Sequence, residues 1–278
     1  MATPGDGQLV LFEQRDGVGR ITLNRPEKRN ALSRALQGEL RAALDAARAD
    51  CRVVVVTGAG VAFCGGIDLS ESRELRGLRA AEDPSGTDAA EDRAAQTPRP
   101  VPLRDVWVET NEVIRRHPAI MVAAVNGFAL GGGLTLVHNC ELAIASERAE
   151  FGMPEVGFGT FPGIAGPATT RRIRPKHAAS MILTARRIGA ETAERWGIVN
   201  TVVPHERLLD EAEGLARHIA QFDPVVLDYS KKALRELELM PWSEGIGYGG
   251  YINSAIREQS QASREGVDRF LSGQRNPG

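Results

Sequence analysis

The chain has 278 residues, enough to bury a substantial core in one large domain or two modest ones without disulfide or metal staples. Its 34 Lys and Arg stand against 36 Asp and Glu, so no overall basic field points to nucleic acid or an anionic membrane, although one phosphorylated small molecule stays open as a ligand. Three cysteines, Cys51, Cys64 and Cys140, match no zinc spacing, and their odd number argues against a disulfide framework. A reduced, cytoplasmic setting is expected: the opening residues form no secretory signal, and no apolar run reaches the roughly 18 residues that cross a bilayer.

Residues 9–13 and 18–24 flank Arg15-Asp16-Gly17 and read as a two-strand hairpin. A polar turn, Asn24-Arg-Pro-Glu-Lys-Arg-Asn30, follows. Ser33 then reads as the N-cap of a helix to about Arg48, with Leu36, Leu40, Ala43 and Leu44 on one apolar face. Residues 53–57 are a β-branched run with the character of a fully buried strand. Residues 71–105 lose all periodicity, are rich in Glu, Arg, Asp, Ala and Pro, and read either as a functional lid or as a linker. Helix is expected again near 106–117, then a strand at 121–125, a helix from Leu134 to about Asn139, and a strand at 142–145. From His177 the pattern is helical, over 178–184, 190–196, 208–221, 225–238 and 243–271, with a short strand at 201–203. Strand and helix alternate around what is expected to be a central sheet, and the last third is helical.

Two glycine-rich turns follow runs of buried-strand character: Phe63-Cys-Gly-Gly-Ile-Asp-Leu69 and Asn126-Gly-Phe-Ala-Leu-Gly-Gly-Gly133. Glycine lets main chain approach a ligand where a Cβ would collide. Two such turns can aim two backbone N–H groups at one oxygen and stabilise charge developing on a carbonyl, as an oxyanion hole does. Each turn taken alone reads rather as a tight strand-to-helix connection with no ligand.

Three segments in this order, 58–69, 124–133 and Phe151-Gly-Met-Pro-Glu-Val-Gly-Phe-Gly-Thr-Phe-Pro-Gly163, resemble the enoyl-CoA hydratase/isomerase, or crotonase, family. Asn24-Arg-Pro-Glu-Lys-Arg-Asn-Ala-Leu32 is similar to that family's opening segment, and the likeness runs from about residue 9 to 272. It implies an α/β fold, a spiral of ββα units over 1–200 with a C-terminal helical region over 201–278 used in trimer contacts, and a homotrimer or dimer of trimers. It also implies an acyl-CoA substrate, with coenzyme A as part of the thioester and no separate cofactor. The shared step is stabilisation of a thioester enolate by two main-chain amides, which fall by position on Ile67 and Gly132. Lys28 and Arg29 become candidates for the phosphates of coenzyme A, or else a solvated turn. Ala31 with the backbone of Gly66, Asp68 and Leu69 resembles the pantetheine and adenine contacts. Asp68 equally suits a helix N-cap.

Hydratases of this family with two carboxylates place one Glu in the helix after the second glycine turn and one in the Pro-Glu segment. Here the second is Glu155, and the first position holds Thr135, whose hydroxyl can hold water but cannot trade protons as a carboxylate does. Burial is expected to raise the Glu155 pKa. A single Glu leaves three chemistries open: hydration of an enoyl-CoA, which is favoured, Δ3,Δ2-isomerisation, and the hydroxycinnamoyl-CoA hydratase-lyase reaction. For the last, Thr135 stands where a hydroxyl residue is found, whereas Ser72 stands where an aromatic hydroxyl would be expected. A non-catalytic acyl-CoA-binding subunit is the reading from another class, and a protein-bound pantetheine arm could replace coenzyme A. Thr135 reads either as a site residue or as helix packing. The five histidines form no ligand cluster, and no metal site is expected. Trp107 and Trp196 read as apolar anchors.

Overall fold

The computed structural model describes residues 7–71 and 106–274. The expected loop at 71–105, apart from Glu71, and with it Ser72, lies outside the described residues.

The hairpin forms as strands β1 (Val10–Arg15) and β2 (Val18–Leu23), antiparallel, with Arg15 paired to Val18 rather than placed in the turn. The turn needs only Asp16 and Gly17, both at positive φ, a backbone suited to the right-handed twist of a tight hairpin. Helix Arg34–Ala47 follows, its first turn closed by Ser33, whose hydroxyl accepts from the Leu36 amide at 3.2 Å. Strands β3 (Val53–Gly58), β5 (Ile120–Val125), β7 (Leu142–Ser146) and β10 (Thr201–Val203) complete a six-stranded sheet in the order β1-β2-β3-β5-β7-β10, parallel from β2 onward.

Every residue of β3 and β5 is buried because both faces of this sheet are covered. Val54, Val56, Met121, Ala123 and Val125 point into the main core. Val53, Val55, Ile120, Val122 and Ala124 alternate with them and pack under Leu208, Ala212, Ala216 and Ala220, on and just beyond helix Leu208–Ile219. The residues after 200 thus supply a strand and a covering helix to the core before the chain continues into helices Pro224–Leu237, Trp242–Gln259 and Ala262–Leu271.

The glycine-rich stretches are not turns throughout. Each contains a three-residue strand, β4 (Ala62–Cys64) in the first and β6 (Phe128–Leu130) in the second, and β8 (Glu150–Gly152) precedes the Pro-Glu segment. With β9 (Ile188–Gly189) they make a second sheet in the order β4-β6-β8-β9, with β4, β6 and β8 parallel. Successive strand pairs therefore divide between two sheets, β3 with β4, β5 with β6 and β7 with β8, which gives the spiral of ββα units.

One expectation in the helical third is corrected, and one helix before it is added. The span 243–271 is two helices, because the chain is extended at Ser260 (φ −141°, ψ 144°) and restarts at Ala262. Helix Ala165–Arg172 was not expected, since Gly166 and Pro167 obscure its period; Pro167 falls in the first turn, where its missing N–H costs nothing. Among the described residues no helix is long and apolar enough to cross a membrane.

Candidate active site

Parallel neighbours in a sheet present their C-terminal ends at one edge, which is where open α/β sheets bind ligands. Strands β4, β6 and β8 do this here, so the segments that follow them, Gly65-Gly66-Ile67, Gly131-Gly132 and Pro154-Glu155, converge although they are far apart in sequence. The closeness is possible only without side chains. Gly66 is at φ +97°, and a Cβ there would lie 2.8 Å from the Leu130 carbonyl oxygen and 3.5 Å from the Gly132 nitrogen. A Cβ at Gly133 would collide with the Cys64 carbonyl.

Ile67 is held by a parallel bridge to Leu32, in which the Leu32 amide donates to Gly66 (2.8 Å) and the Asp68 amide donates to Leu32 (3.3 Å). Those bonds use the residues on either side and leave the Ile67 amide itself without an acceptor among the described residues. The Gly132 amide, in the first turn of helix Gly132–Asn139, is in the same position, while its neighbour Gly131 donates to Gly152 at 2.9 Å. An amide in a helix's first turn has no intrahelical partner and sits at the positive end of the helix dipole.

Glu155 lies in the 3₁₀ turn Pro154–Phe158. Its Oε1 rests on Gly131, where an added Cβ would come within 2.5 Å of it, and its Oε2 is buried without a hydrogen bond among the described residues. Burial raises its pKa, opposed by the residue's own backbone amide. A carboxylate held this way beside two unengaged amides can exchange a proton with a carbon or a water next to a polarised carbonyl. Thr135 is fully buried one turn into the helix, and its hydroxyl donates back to the Gly131 carbonyl at 3.3 Å. That bond occupies its only proton and leaves its lone pairs as acceptors.

The remaining candidates sit along the polar turn at 24–31 and the first glycine-rich stretch. Lys28 and Arg29 are exposed, and the Arg29 guanidinium lies 5.9 Å from the centre of the Phe128 ring. Ala31 is half-buried, with its carbonyl accepting from the Ser33 amide at 3.0 Å. Gly66 and Asp68 use backbone groups in the Leu32 bridge, and Leu69 is exposed. Asp68 caps the helical turn after it, accepting from the Ser70 hydroxyl (2.5 Å) and amide (3.1 Å), and it pairs with Arg25 at 2.6 Å. The Ser70 hydroxyl first, and Arg25 with it, hold its carboxyl down to about 2 against the opposing effect of burial.

Sequence reasoning missed three residues that shape this edge. Asn30, fully buried with left-handed backbone (φ 55°), donates to the carbonyls of Ala62 (2.7 Å) and Ala59 (3.0 Å) and accepts from the Arg25 amide (2.8 Å). Asn126 accepts from the Gly58 amide at 3.2 Å and donates to Gly60 at 2.9 Å, tying one glycine stretch to the other. An Asn beside a glycine or in a polar turn is the available signal, because its amide mimics backbone and tolerates that conformation. Trp107 is buried as expected, yet its Nε1 stands 3.5 Å from where a Gly132 Cβ would be, so it walls the site rather than serving only as an anchor.

The enoyl-CoA hydratase/isomerase family model matches residues 13–275, and the chain belongs to that family. It is an enzyme of the hydratase/isomerase type, and the family implies an acyl-CoA substrate. It is 37% identical over 269 residues to a probable enoyl-CoA hydratase of Rhizobium meliloti (strain 1021), covering 95% of each chain. It is 30% identical to the hydroxycinnamoyl-CoA hydratase-lyase of Pseudomonas fluorescens over 96% of this chain and 93% of that one. Its fold matches the crystal structure of an enoyl-CoA hydratase subunit I from Geobacillus kaustophilus HTA426 with a TM-score of 0.83, at 33% identity over 96% of both chains.

Proposed function

We propose that the protein is an enoyl-CoA hydratase that adds water across the α,β bond with Glu155 as its one acid-base carboxylate. The observation that carries this reading is the half-buried Glu155 carboxylate, with Oε1 resting on Gly131 and Oε2 buried, beside the unengaged amides of Ile67 and Gly132. The thioester oxygen accepts from those two amides, which lowers the barrier as negative charge builds on it. Glu155 takes a proton from water as the oxygen bonds to the β carbon, and the α,β electron pair moves into the enolate. The same carboxyl then gives that proton to the α carbon, so water is consumed and Glu155 is regenerated. Thr135, with lone pairs free, accepts a hydrogen bond from the attacking water. Burial of Glu155 suits both steps, since a raised pKa brings the acid and base forms closer in energy.

Lys28 and Arg29 bind the phosphates of coenzyme A, and Ala31 with the backbone of Gly66, Asp68 and Leu69 contacts the rest of the carrier. No cofactor beyond the coenzyme A of the substrate is required. The protein works as a homotrimer or dimer of trimers in the cytoplasm. Support for assembly comes from large apolar side chains left exposed on the C-terminal helices, Trp242 (84% exposed), Phe270 and Leu271. Three free, buried thiols suit a reducing compartment.

The test is turnover of purified protein on 2-enoyl-CoA and 3-enoyl-CoA, with Glu155→Gln in parallel. Hydration of the 2-enoyl ester that falls about 10²–10⁴-fold in the variant, with an unchanged melting temperature, is the expected result. Turnover of the 3-enoyl ester alone would make the protein an isomerase. Unchanged turnover in Glu155→Gln would remove Glu155 as the catalyst.

A further inference from the structure

Among the described residues Glu155 is aimed without an external polar tether: its Oε2 accepts no hydrogen bond from them, and the backbone amide acting on its carboxyl is its own. The direction of the side chain therefore depends on the backbone of the turn Pro154–Phe158, and so on Met153, which caps that turn and is fully buried. Methionine is flexible and fills irregular space in several rotamers, so something must select one of them.

A short polar chain reaches its sulfur. The Thr169 hydroxyl donates to the Met153 sulfur at 3.6 Å, and its oxygen lies 3.1 Å from Nε2 of His138. Thr169 has one hydroxyl proton, and with that proton on sulfur, the histidine contact is a hydrogen bond only if Nε2 carries hydrogen. Burial, aided by Arg172, pushes the His138 pKa down to about 3, so the imidazole is neutral and a single tautomer satisfies both contacts. The chain then runs in one direction, from His138 to Thr169 to Met153. Its members come from three elements: helix Gly132–Asn139, helix Ala165–Arg172 and the cap of the Glu155 turn. Gly132, which offers one oxyanion amide, begins the helix that His138 nearly ends.

We propose that His138 and Thr169 are positioning residues that lock Met153, and through it Glu155, at a fixed distance from the Gly132 amide. Catalytic groups must be held within about 0.5 Å of their productive geometry, and a small misplacement is costly in rate without weakening binding. This rests on Glu155 being the acid-base group.

The experiment compares kcat and KM for 2-enoyl-CoA hydration in the full chain carrying Thr169→Val, Thr169→Ser, Met153→Leu, the Val/Leu double variant and Glu155→Gln. Thr169→Val and Met153→Leu each lower kcat about tenfold and move KM by less than about twofold. The double variant is no slower than either single, because both remove one link. Thr169→Ser, which keeps both hydrogen bonds, returns kcat to within about twofold of the parent. Unchanged kcat in Thr169→Val, effects that multiply in the double variant, or a Thr169→Ser as slow as Thr169→Val overturns the proposal. Should Thr169→Val not fold, Met153→Leu and Thr169→Ser decide it on the same terms. An inactive Glu155→Gln beside a fully active Thr169→Val sinks this inference alone, whereas a fully active Glu155→Gln sinks it together with the hydratase reading.

Discussion

The two sheets are built from different material for different tasks. The large sheet has at its centre the six-residue strands β3 and β5, rich in valine and buried on both faces between the main core and helix Leu208–Ile219. The small one has strands of two or three residues, and glycine lies in or directly after β4, β6, β8 and β9. Burial holds the first together, at roughly 25 cal/mol per Å² of apolar surface. Close backbone approach defines the second, as the 3.5 Å between the Gly132 nitrogen and a notional Gly66 Cβ indicates. Substitutions in one sheet should therefore act on stability, and in the other on rate.

The sharpest division is expected from Gly131→Ala. Its backbone is at φ +50° and the new methyl would stand 2.5 Å from Oε1 of Glu155, so the carboxylate is displaced. Hydration kcat should fall about 10²-fold with a smaller change in KM, measured by steady-state kinetics. A Gly131→Ala enzyme with parental kcat would break the comparison. Met121→Ala in the large sheet should do the opposite, costing about 2–5 kcal/mol in a denaturant melt while the folded fraction keeps its kcat.

Acid provides a third test. His117 is held neutral by burial, opposed by its hydrogen bond to the Leu44 carbonyl and helped by Lys231 and Arg48, with a pKa down to about 4; burial and Arg172 take His138 to about 3. The unfolded chain, whose imidazoles titrate near 6.5, takes up these protons first. Stability is full above 6.5, declines as pH falls below it, and the His117 and His138 contributions are gone near 4 and 3. Thermal melts between pH 7.5 and 4 check this, and a melting temperature flat over that range would refute it. The smallest effect belongs to Ser33→Ala, which removes a helix cap at a cost of about 1 kcal/mol and should leave kcat unchanged.

Much of the large sheet and its flanking helices was legible because long segments carry a signal, an unbroken apolar run for β3 and β5 and a helical period or cap for Arg34–Ala47 and Ala190–Trp196. The small sheet was not. Three residues have no measurable alternation, so β4 and β6 were absorbed into glycine turns, and Ala165–Arg172 was hidden by Gly166 and Pro167. At the site, the glycine-rich stretches pointed to main-chain donors and the family resemblance singled out Ile67, Gly132 and Glu155, whereas Asn30, Asn126 and the chain through Thr169 left almost no trace. Their partners are main-chain carbonyls or side chains distant in sequence, and one-dimensional spacing does not encode those.

By itself the sequence determined which residues could do the chemistry and in what order they come. Glycines occur where main chain must be bare, one glutamate lies in the third segment, and Thr135 stands where a second carboxylate would be. Only the tertiary structure decided that these segments meet. The reason is that β4, β6 and β8 are parallel neighbours, so their C-terminal ends share an edge. The same packing half-buries Glu155, turns the Thr135 hydroxyl onto Gly131 and places Trp107 beside Gly132, because environment belongs to neighbours in space rather than along the chain.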